Sequence, residues 1–338
     1  MILIFWLIMS LAACSLNECD SGGTSSQNGS SPSRSCSFSI ANWNVQTFFD
    51  GVTEGSEYSD FKSAAKWSNS KYYTRLKRLC EVLARLNADV FVLEEIENEG
   101  IINDIANQFA GNSWDSSKNW TYSCFAKEKK SSIGCAVLSK YPLFGIKTHS
   151  LDIRTQKESQ PSMRPIMEVN LDVGGRNVIL FVNHWKSKSG GEEESEIWRD
   201  WQETLLAGRL AEISSASASA PCIICGDFNR DIKEFCLLEG GSRSEGNVSL
   251  RGSKSVKLYS PWLTEGGSLS SETGSYYYKG SWERIDHIFS FGKVRISAFS
   301  PRAESPWAKE DKTPFAYKIY SGEGYSDHLP VMASVVVE

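Results

Sequence analysis

Short runs of apolar residues that stop abruptly at acids, amides or imidazoles constrain this fold more than any other feature of the chain. Val90-Phe91-Val92-Leu93 runs into Glu94 and Glu95, Val178 to Val182 into Asn183-His184, and Ile223-Ile224 into Gly226-Asp227-Phe228-Asn229. Arg284-Ile285-Asp286-His287-Ile288 is expected to carry its acid within a strand, and Ser326-Asp327-His328 precedes a last strand over Pro330 to Val337. Continuous rather than alternating apolarity marks strands covered on both faces. Their polar ends then gather on one rim.

Phe38 to Asn44 also reads as a strand. Tyr72 to Leu86 reads as a helix with Leu76, Leu79, Leu83 and Leu86 on one face and Arg75, Arg78 and Arg85 around it. A second helix is expected over about Glu194 to Ser214, with Ile197, Trp201 and Leu205 one turn apart beside Leu206, Leu210 and Ile213. The acidic run Glu192-Glu193-Glu194 reads as its solvated start. Strand and helix alternate, which predicts an α/β domain.

With 41% hydrophobic and 23% charged residues, the 338-residue chain can bury a large core. A net charge of -5 argues against passive nucleic-acid binding, which needs a clustered basic surface, but leaves room for an enzyme that meets phosphate through a metal. Carboxylates gathered on one rim repel one another unless a hard cation sits among them, and Mg2+ is the natural choice. Imidazoles there would supply acid and base chemistry near neutral pH. Four histidines are present, His149, His184, His287 and His328. His287, one residue beyond Asp286 on a strand, should face the opposite side and serve packing.

The first thirteen residues are almost wholly apolar, and Leu11-Ala12-Ala13-Cys14 reads as the cleavage box of a bacterial lipoprotein, although no Lys or Arg precedes the apolar stretch. Cys14 would then carry acyl chains, and Ser15 to Ser37, rich in Ser, Gly and Asn, would tether an exported domain to the cell envelope. The domain itself would run over 38–338, with no second linker to divide it. Nine cysteines include Cys14, so eight remain to pair in an oxidising compartment. Cys222 and Cys225 have zinc-like spacing but no second pair nearby, so zinc is not expected. Cys124 and Cys135 would lie opposite each other across a hairpin turning at Lys129-Lys130, either bridged or as two small core residues.

In order along the chain, Trp43-Asn44-Val45-Gln46, Leu93-Glu94-Glu95-Ile96-Glu97-Asn98, Asn183-His184-Trp185-Lys186-Ser187-Lys188, Gly226-Asp227-Phe228-Asn229, Arg284-Ile285-Asp286-His287 and Ser326-Asp327-His328-Leu329-Pro330 resemble the successive motifs of the endonuclease/exonuclease/phosphatase superfamily, the deoxyribonuclease-I-like fold. The resemblance covers about Phe38 to Val337 and implies a four-layer α/β sandwich of two mixed β-sheets flanked by helices. By the same resemblance Glu95 is the principal metal ligand, with Asn44 and Asp327 on the metal side. The cofactor it implies is Mg2+, with Mn2+ or Ca2+ as substitutes. Asp227 and Asn229 would orient the attacking water and the phosphate, His184 and His328 would exchange protons, and Asp286 would hold His328. Arg164 resembles a phosphate-contacting arginine, and Lys186 and Lys188 are placed to meet a polyanionic backbone. Glu94 stands where the family often has Gln, which puts an extra negative charge near the site or points it into a salt bridge.

The function this implies is a metal-dependent nuclease hydrolysing DNA or RNA at the cell surface. Its partners are nucleic acid as substrate and a membrane held through Cys14, with no protein partner inferred. A phosphoesterase acting on sphingomyelin or inositol phosphates is the second reading. A non-catalytic surface binding module is the third, and binding alone would not need Glu95, Asp227, His184 and His328 together.

Overall fold

Because successive residues of a strand face opposite sides, β2 (Val90–Ile96) buries Val90 and Val92 in one core and Phe91 and Leu93 in another. In this computed structural model, which describes residues 35–61, 67–111, 116–153, 159–236, 246–252 and 256–338, that single strand reports the whole layering. Phe91 and Leu93 pack with Ala41 and Trp43 of β1 (Cys36–Phe48) against α1 (Asn69–Leu86) and α2 (Glu99–Gly111). Val90 and Val92 meet a second sheet.

The first sheet is completed by β3 (Tyr122–Ala126) and β4 (Gly134–Ser139), and at the chain's end by β14 (Val294–Pro301) and β15 (Val331–Val337), in the order β14-β15-β1-β2-β4-β3. The second sheet draws on β5 (Leu143–His149), β6 (Ile166–Val173), β7 (Arg176–His184), β8 (Cys222–Asp227), β9 (Asn247–Leu250), β10 (Val256–Tyr259) and β13 (Asp286–Phe291). Its order is β5-β6-β7-β8-β13-β10-β9. The long α3 (Glu192–Ala216) lays Leu206, Ala207 and Leu210 onto it, and a short α4 (Ile232–Cys236) follows β8. A two-stranded hairpin, β11 (Tyr276–Tyr278) and β12 (Ser281–Glu283), stands apart from both. Two mixed sheets flanked by helices are the expected architecture.

Strand direction explains the polar rim. β1 runs parallel to β2, and β7 parallel to β8, so Asn44, Glu95, His184 and Asp227 sit at the same ends. β13 and β15 run antiparallel to β8 and β1, so their beginnings arrive at that rim. Asp286 is therefore the first residue of β13, directly opposite Asp227, rather than lying within the strand.

Several local expectations need correction. β1 starts at Cys36, inside the stretch read as tether, while Cys14 and residues 1–34 lie outside the described residues. α1 starts at Asn69 because the Ser68 side chain caps it, accepting from the Lys71 N–H, and it stops where Asn87 adopts the left-handed conformation. α3 starts at Glu192 and runs to Ala216, but Ile197 and Trp201 are exposed on it. The face turned inward carries Trp198, Gln202, Leu206 and Leu210, plus Arg199 and Glu203, which find ionic and polar partners there. Cys124 faces Val137, and Cys135 faces Ala126. The β3–β4 turn falls at Lys129-Lys130, but the register is two residues from the one that would oppose the cysteines, and Ile133, before β4, packs with Phe49 and Phe61. Cys80, Cys124, Cys135, Cys222 and Cys225 are all buried thiols.

Candidate active site

Two β-bulges aim the principal acid. β1 loses register between Asn44 and Phe48, where Gln46 and Thr47 take φ of 53° and 46°, and β2 does so at Glu95, with φ of 67°. Left-handed backbone at non-glycine residues costs about 1–3 kcal/mol each and persists only where surroundings enforce it. Here the consequence is that Glu94 turns between the sheets while Glu95 reaches the cleft. The Thr47 N–H donates to Glu95 Oε2, and Asn44 Nδ2 donates to Oε1 at 3.2 Å.

Arg75 enforces the first bulge. Its guanidinium donates to the carbonyls of Thr47 (2.9 Å), Val45 (2.9 Å) and Gln46, and lies 3.8 Å from the Tyr317 ring centre and 4.7 Å from that of Phe48. Burial pushes its pKa down to about 10, with Tyr317, Glu95 and Asp327 pulling the other way. From sequence Arg75 stands with Arg78 and Arg85 around the apolar face of the helix, whereas in the fold it is buried. Arginine one turn before Leu79 on an otherwise apolar face was the available signal.

Asp227 ends β8 after Gly226, whose φ is 142° and where a Cβ would come within 1.9 Å of the Asn183 carbonyl oxygen, so β7 can approach only a glycine. Asp227 Oδ2 accepts from Asn44 Nδ2 at 3.0 Å, and Oδ1 from the Asn229 N–H at 2.8 Å. Burial, with Asp286 adding to it against the pull of His328, pushes Asp227 up to about 7. His328 Nδ1 donates to Asp286 Oδ2 at 2.8 Å, and its Nε2 lies 4.0 Å from Asp227. Burial opposes charge on His328, but Asp286, Asp327 and Asp227 outweigh it and hold that imidazole well above its ordinary pKa.

His184 is the opposite case. Burial and the nearby positive charges of Arg164, His328 and Lys186 push it well below its ordinary value, so it is neutral. Its Nε2 sits 3.8 Å from Glu95 Oε1 and 3.7 Å from Asp227 Oδ2. Asn44, Glu95, His184, Asp227, Asn229, Asp327 and His328 all line one cleft of about 630 Å³, and Asp286 supports it from beneath.

The cationic residues stand differently. Arg164 donates to the Trp185 carbonyl at 3.3 Å and hydrogen-bonds Tyr58, beside a neighbouring hollow. Lys186 is half-buried, its backbone N–H held by Gln202 at 2.8 Å. Lys188 lines the cleft, yet its amine lies 2.9 Å from both Glu192 and Glu234 and 3.9 Å from Glu283, so its charge is already answered. His149 pairs with Glu168 at 2.8 Å, away from the cleft. His287 is buried among Phe228, Phe235 and Phe289 and hydrogen-bonds the Arg230 carbonyl at 2.9 Å.

Among the described residues Glu94 forms no salt bridge. It is buried with only Asn42 Nδ2 near, at 3.5 Å, and burial together with Asp286 and Asp227 pushes it well above the carboxylate range, so it is a neutral acid. The family's Gln is thus replaced by another neutral side chain rather than by a charge.

Does this donor set fit a hard cation? Glu95, Asp327 and Asp227 bring carboxylate oxygens to the cleft, while Asn44 turns its amide N–H groups toward Glu95 and Asp227 and accepts from the Gln46 N–H through Oδ1; burial with the Glu95 charge raises Asp327 as well. Burial is the first cause of these raised acids and their mutual repulsion adds to it, and a hard divalent ion would relieve the second. Asp227, Asp286 and His328 also converge, with one ligating atom from each within 4.8 Å of the others. His328 Nδ1 is already committed to Asp286, which makes that trio a proton-holding unit, and Glu95 the better ion ligand.

Residues 39–336 match the sequence profile of the Endonuclease/Exonuclease/phosphatase family, and the chain belongs to that family of phosphoester hydrolases. Nocturnin of Xenopus laevis is 24% identical over 201 residues, spanning 58% of this chain and 49% of Nocturnin, so the chain covers about half the length of that curated relative. Truncated TDP2 of Caenorhabditis elegans superposes with a TM-score of 0.55 at 15% identity, covering 89% of this chain and 98% of that one. TDP2 of D. rerio, solved with a single strand DNA product, gives 0.52 at 16% identity, covering 88% and 98%.

Proposed function

We propose that this chain is a divalent-metal-dependent phosphodiesterase acting on nucleic acid, exported and tethered through an acylated Cys14 to a bacterial cell envelope. The observation that carries the reading is the setting of Asp227, raised to about 7, against a charged His328 4.0 Å away in one cleft that also holds Glu95 and a neutral His184. Hydrolysis of a phosphodiester removes a proton from water and returns one to the leaving oxygen, and groups of opposite protonation suit those tasks.

Asp227, poised near neutrality, takes the proton of a water that it orients together with the Asn229 amide. His328, kept protonated by Asp286, donates to the phosphoryl or leaving oxygen, and the neutral His184 holds a phosphoryl oxygen through its N–H. Glu95, with Asn44 and Asp327, would hold Mg2+, Mn2+ or Ca2+, which lowers the charge on the phosphate and activates bound water.

Purified protein assayed on duplex DNA, RNA, sphingomyelin and inositol phosphates, with and without Mg2+, tests the reading. Cleavage of nucleic acid alone supports it. Turnover confined to the lipid or the inositol phosphates replaces it with the second reading. Anchoring is tested separately: Cys14→Ser should move the protein from the membrane to the soluble fraction, and unchanged fractionation contradicts acylation.

A further inference from the structure

The hairpin β11–β12 forms one wall of the cleft and is tied to the catalytic segment. Tyr276 bridges His328 in antiparallel fashion, the Leu329 N–H donates to the Ser275 carbonyl at 2.7 Å, and the Ser275 N–H to that of Glu283 at 3.0 Å. Its turn, Lys279-Gly280, has φ of 46° and 86°, the positive pair a tight two-residue hairpin requires. Tyr276 and Tyr278, two apart on a strand, share the face toward the cleft, whereas Tyr277 turns away onto Trp282 at 5.0 Å.

The rings form a ladder. Tyr276 lies 4.8 Å from the His328 ring at 38°, and Tyr278 lies 6.1 Å from Tyr276 at 20°, nearly parallel. Tyr278 is the outermost rung and 49% exposed, with Lys279 Nζ 5.1 Å from its ring centre. Among the described residues neither ring belongs to a core cluster, and Tyr276 is sandwiched between His328 and Tyr278, which leaves the outer face of the Tyr278 ring as the one a further flat group can meet. Charge on this flank points the same way. Lys188 is held by Glu192, Glu234 and Glu283, which leaves Lys279, beside the Tyr278 ring at the hairpin turn, as the cation placed to meet a phosphate next to a stacked base.

We propose that Tyr276 and Tyr278 are a stacking subsite for the nucleobase next to the scissile phosphate of a single-stranded nucleic acid. The inference rests on the nucleic-acid phosphodiesterase reading above and deepens it. Every base has a π-face, so the subsite selects unpaired over paired strands without reading sequence, because a paired base keeps its faces within the duplex stack.

Two measurements test it on the full chain. Anisotropy of a dye-labelled single-stranded oligonucleotide in EDTA reads binding alone, and steady-state cleavage with Mg2+ reads kcat and KM. Both use an oligonucleotide with an ordinary base beside the scissile bond and one with an abasic tetrahydrofuran residue there. Tyr278→Ala should weaken binding and raise KM about 5- to 100-fold on the base-bearing strand, the usual span for losing one stacked base, and change the abasic strand by less than twofold. Tyr278→Trp should restore the wild-type values. Equal losses on both strands, or none on either, overturn the subsite. Binding that depends on Tyr278 without any cleavage upholds the subsite and overturns the hydrolytic reading, whereas cleavage indifferent to Tyr278 does the reverse. Absence of both binding and cleavage overturns both.

Discussion

Acid should loosen this protein through His287, one histidine the catalytic chemistry leaves aside. The ring is fully buried, stacked 4.7 Å from Phe289 and edged by Phe228 and Phe235, and its Nε2–H donates to the Arg230 carbonyl. Nδ1 has no hydrogen-bond partner among the described residues, so protonation would strand a buried charge. Burial accordingly pushes the folded pKa from 6.5 down to about 4. The unfolded chain then binds more protons than the native one between those values. Stability is complete above pH 6.5, falls as pH drops toward 4, and levels off below that. A shift from 6.5 to about 4 is worth about 3 kcal/mol in full, of which about 2 is lost between pH 7 and pH 5. Urea unfolding of wild type and His287→Gln at pH 7, 6 and 5 isolates this contribution, because the raised carboxyls Glu94, Glu97 and Asp227 titrate alike in both proteins. The variant retains a donor toward Arg230 and should lose about 2 kcal/mol less than wild type over that range. Parallel curves for the two proteins would refute the reasoning.

Two further outcomes follow from the site. His328→Ala, which removes the general acid, should lower kcat by about 10² to 10⁴, and His184→Ala, which removes a donor to the phosphoryl oxygen, by about 10² to 10³, with circular dichroism unchanged, whereas His149→Ala should stay within about tenfold. Arg75→Met should cost about 10- to 100-fold in apparent Mg2+ affinity, because it frees the Val45 to Thr47 carbonyls and with them the Thr47 N–H that fixes Glu95, and Arg75→Lys should recover only part of it.

The sequence carried the strands and the rim, because a strand buried on both faces can be recognised from its apolar run and its end from the first acid. What it could not carry were features made by distant contacts. Nothing local in Thr-Arg-Leu says that Arg75 will meet three carbonyls of a bulge nearly thirty residues away. The bulges themselves, which send Glu94 inward as a neutral acid and Glu95 outward, are settled by the paired strands and not by the Glu-Glu sequence. Lys188 looked like a phosphate contact because its three carboxylate partners come from three separate segments, α3, α4 and β12. The inward face of α3 was misassigned for a related reason: buried Arg199 and Glu203 read as solvent residues until their partners are known. Tyr276-Tyr277-Tyr278 passed unremarked, since a tyrosine run gains meaning only once the hairpin sets two rings beside His328.

The measurement closest to the central claim is cleavage of a single-stranded oligonucleotide by wild type and Glu95→Gln, each stripped with EDTA and titrated with Mg2+. Wild type should be inactive when stripped and recover fully with Mg2+. The variant, whose single amide oxygen can accept from the Thr47 N–H or from Asn44 Nδ2 but not from both, and which lacks the ligand charge, should need about 10-fold more Mg2+ or more and reach a far lower rate. Full cleavage by the stripped wild type, or an unchanged Mg2+ requirement in Glu95→Gln, would contradict the account.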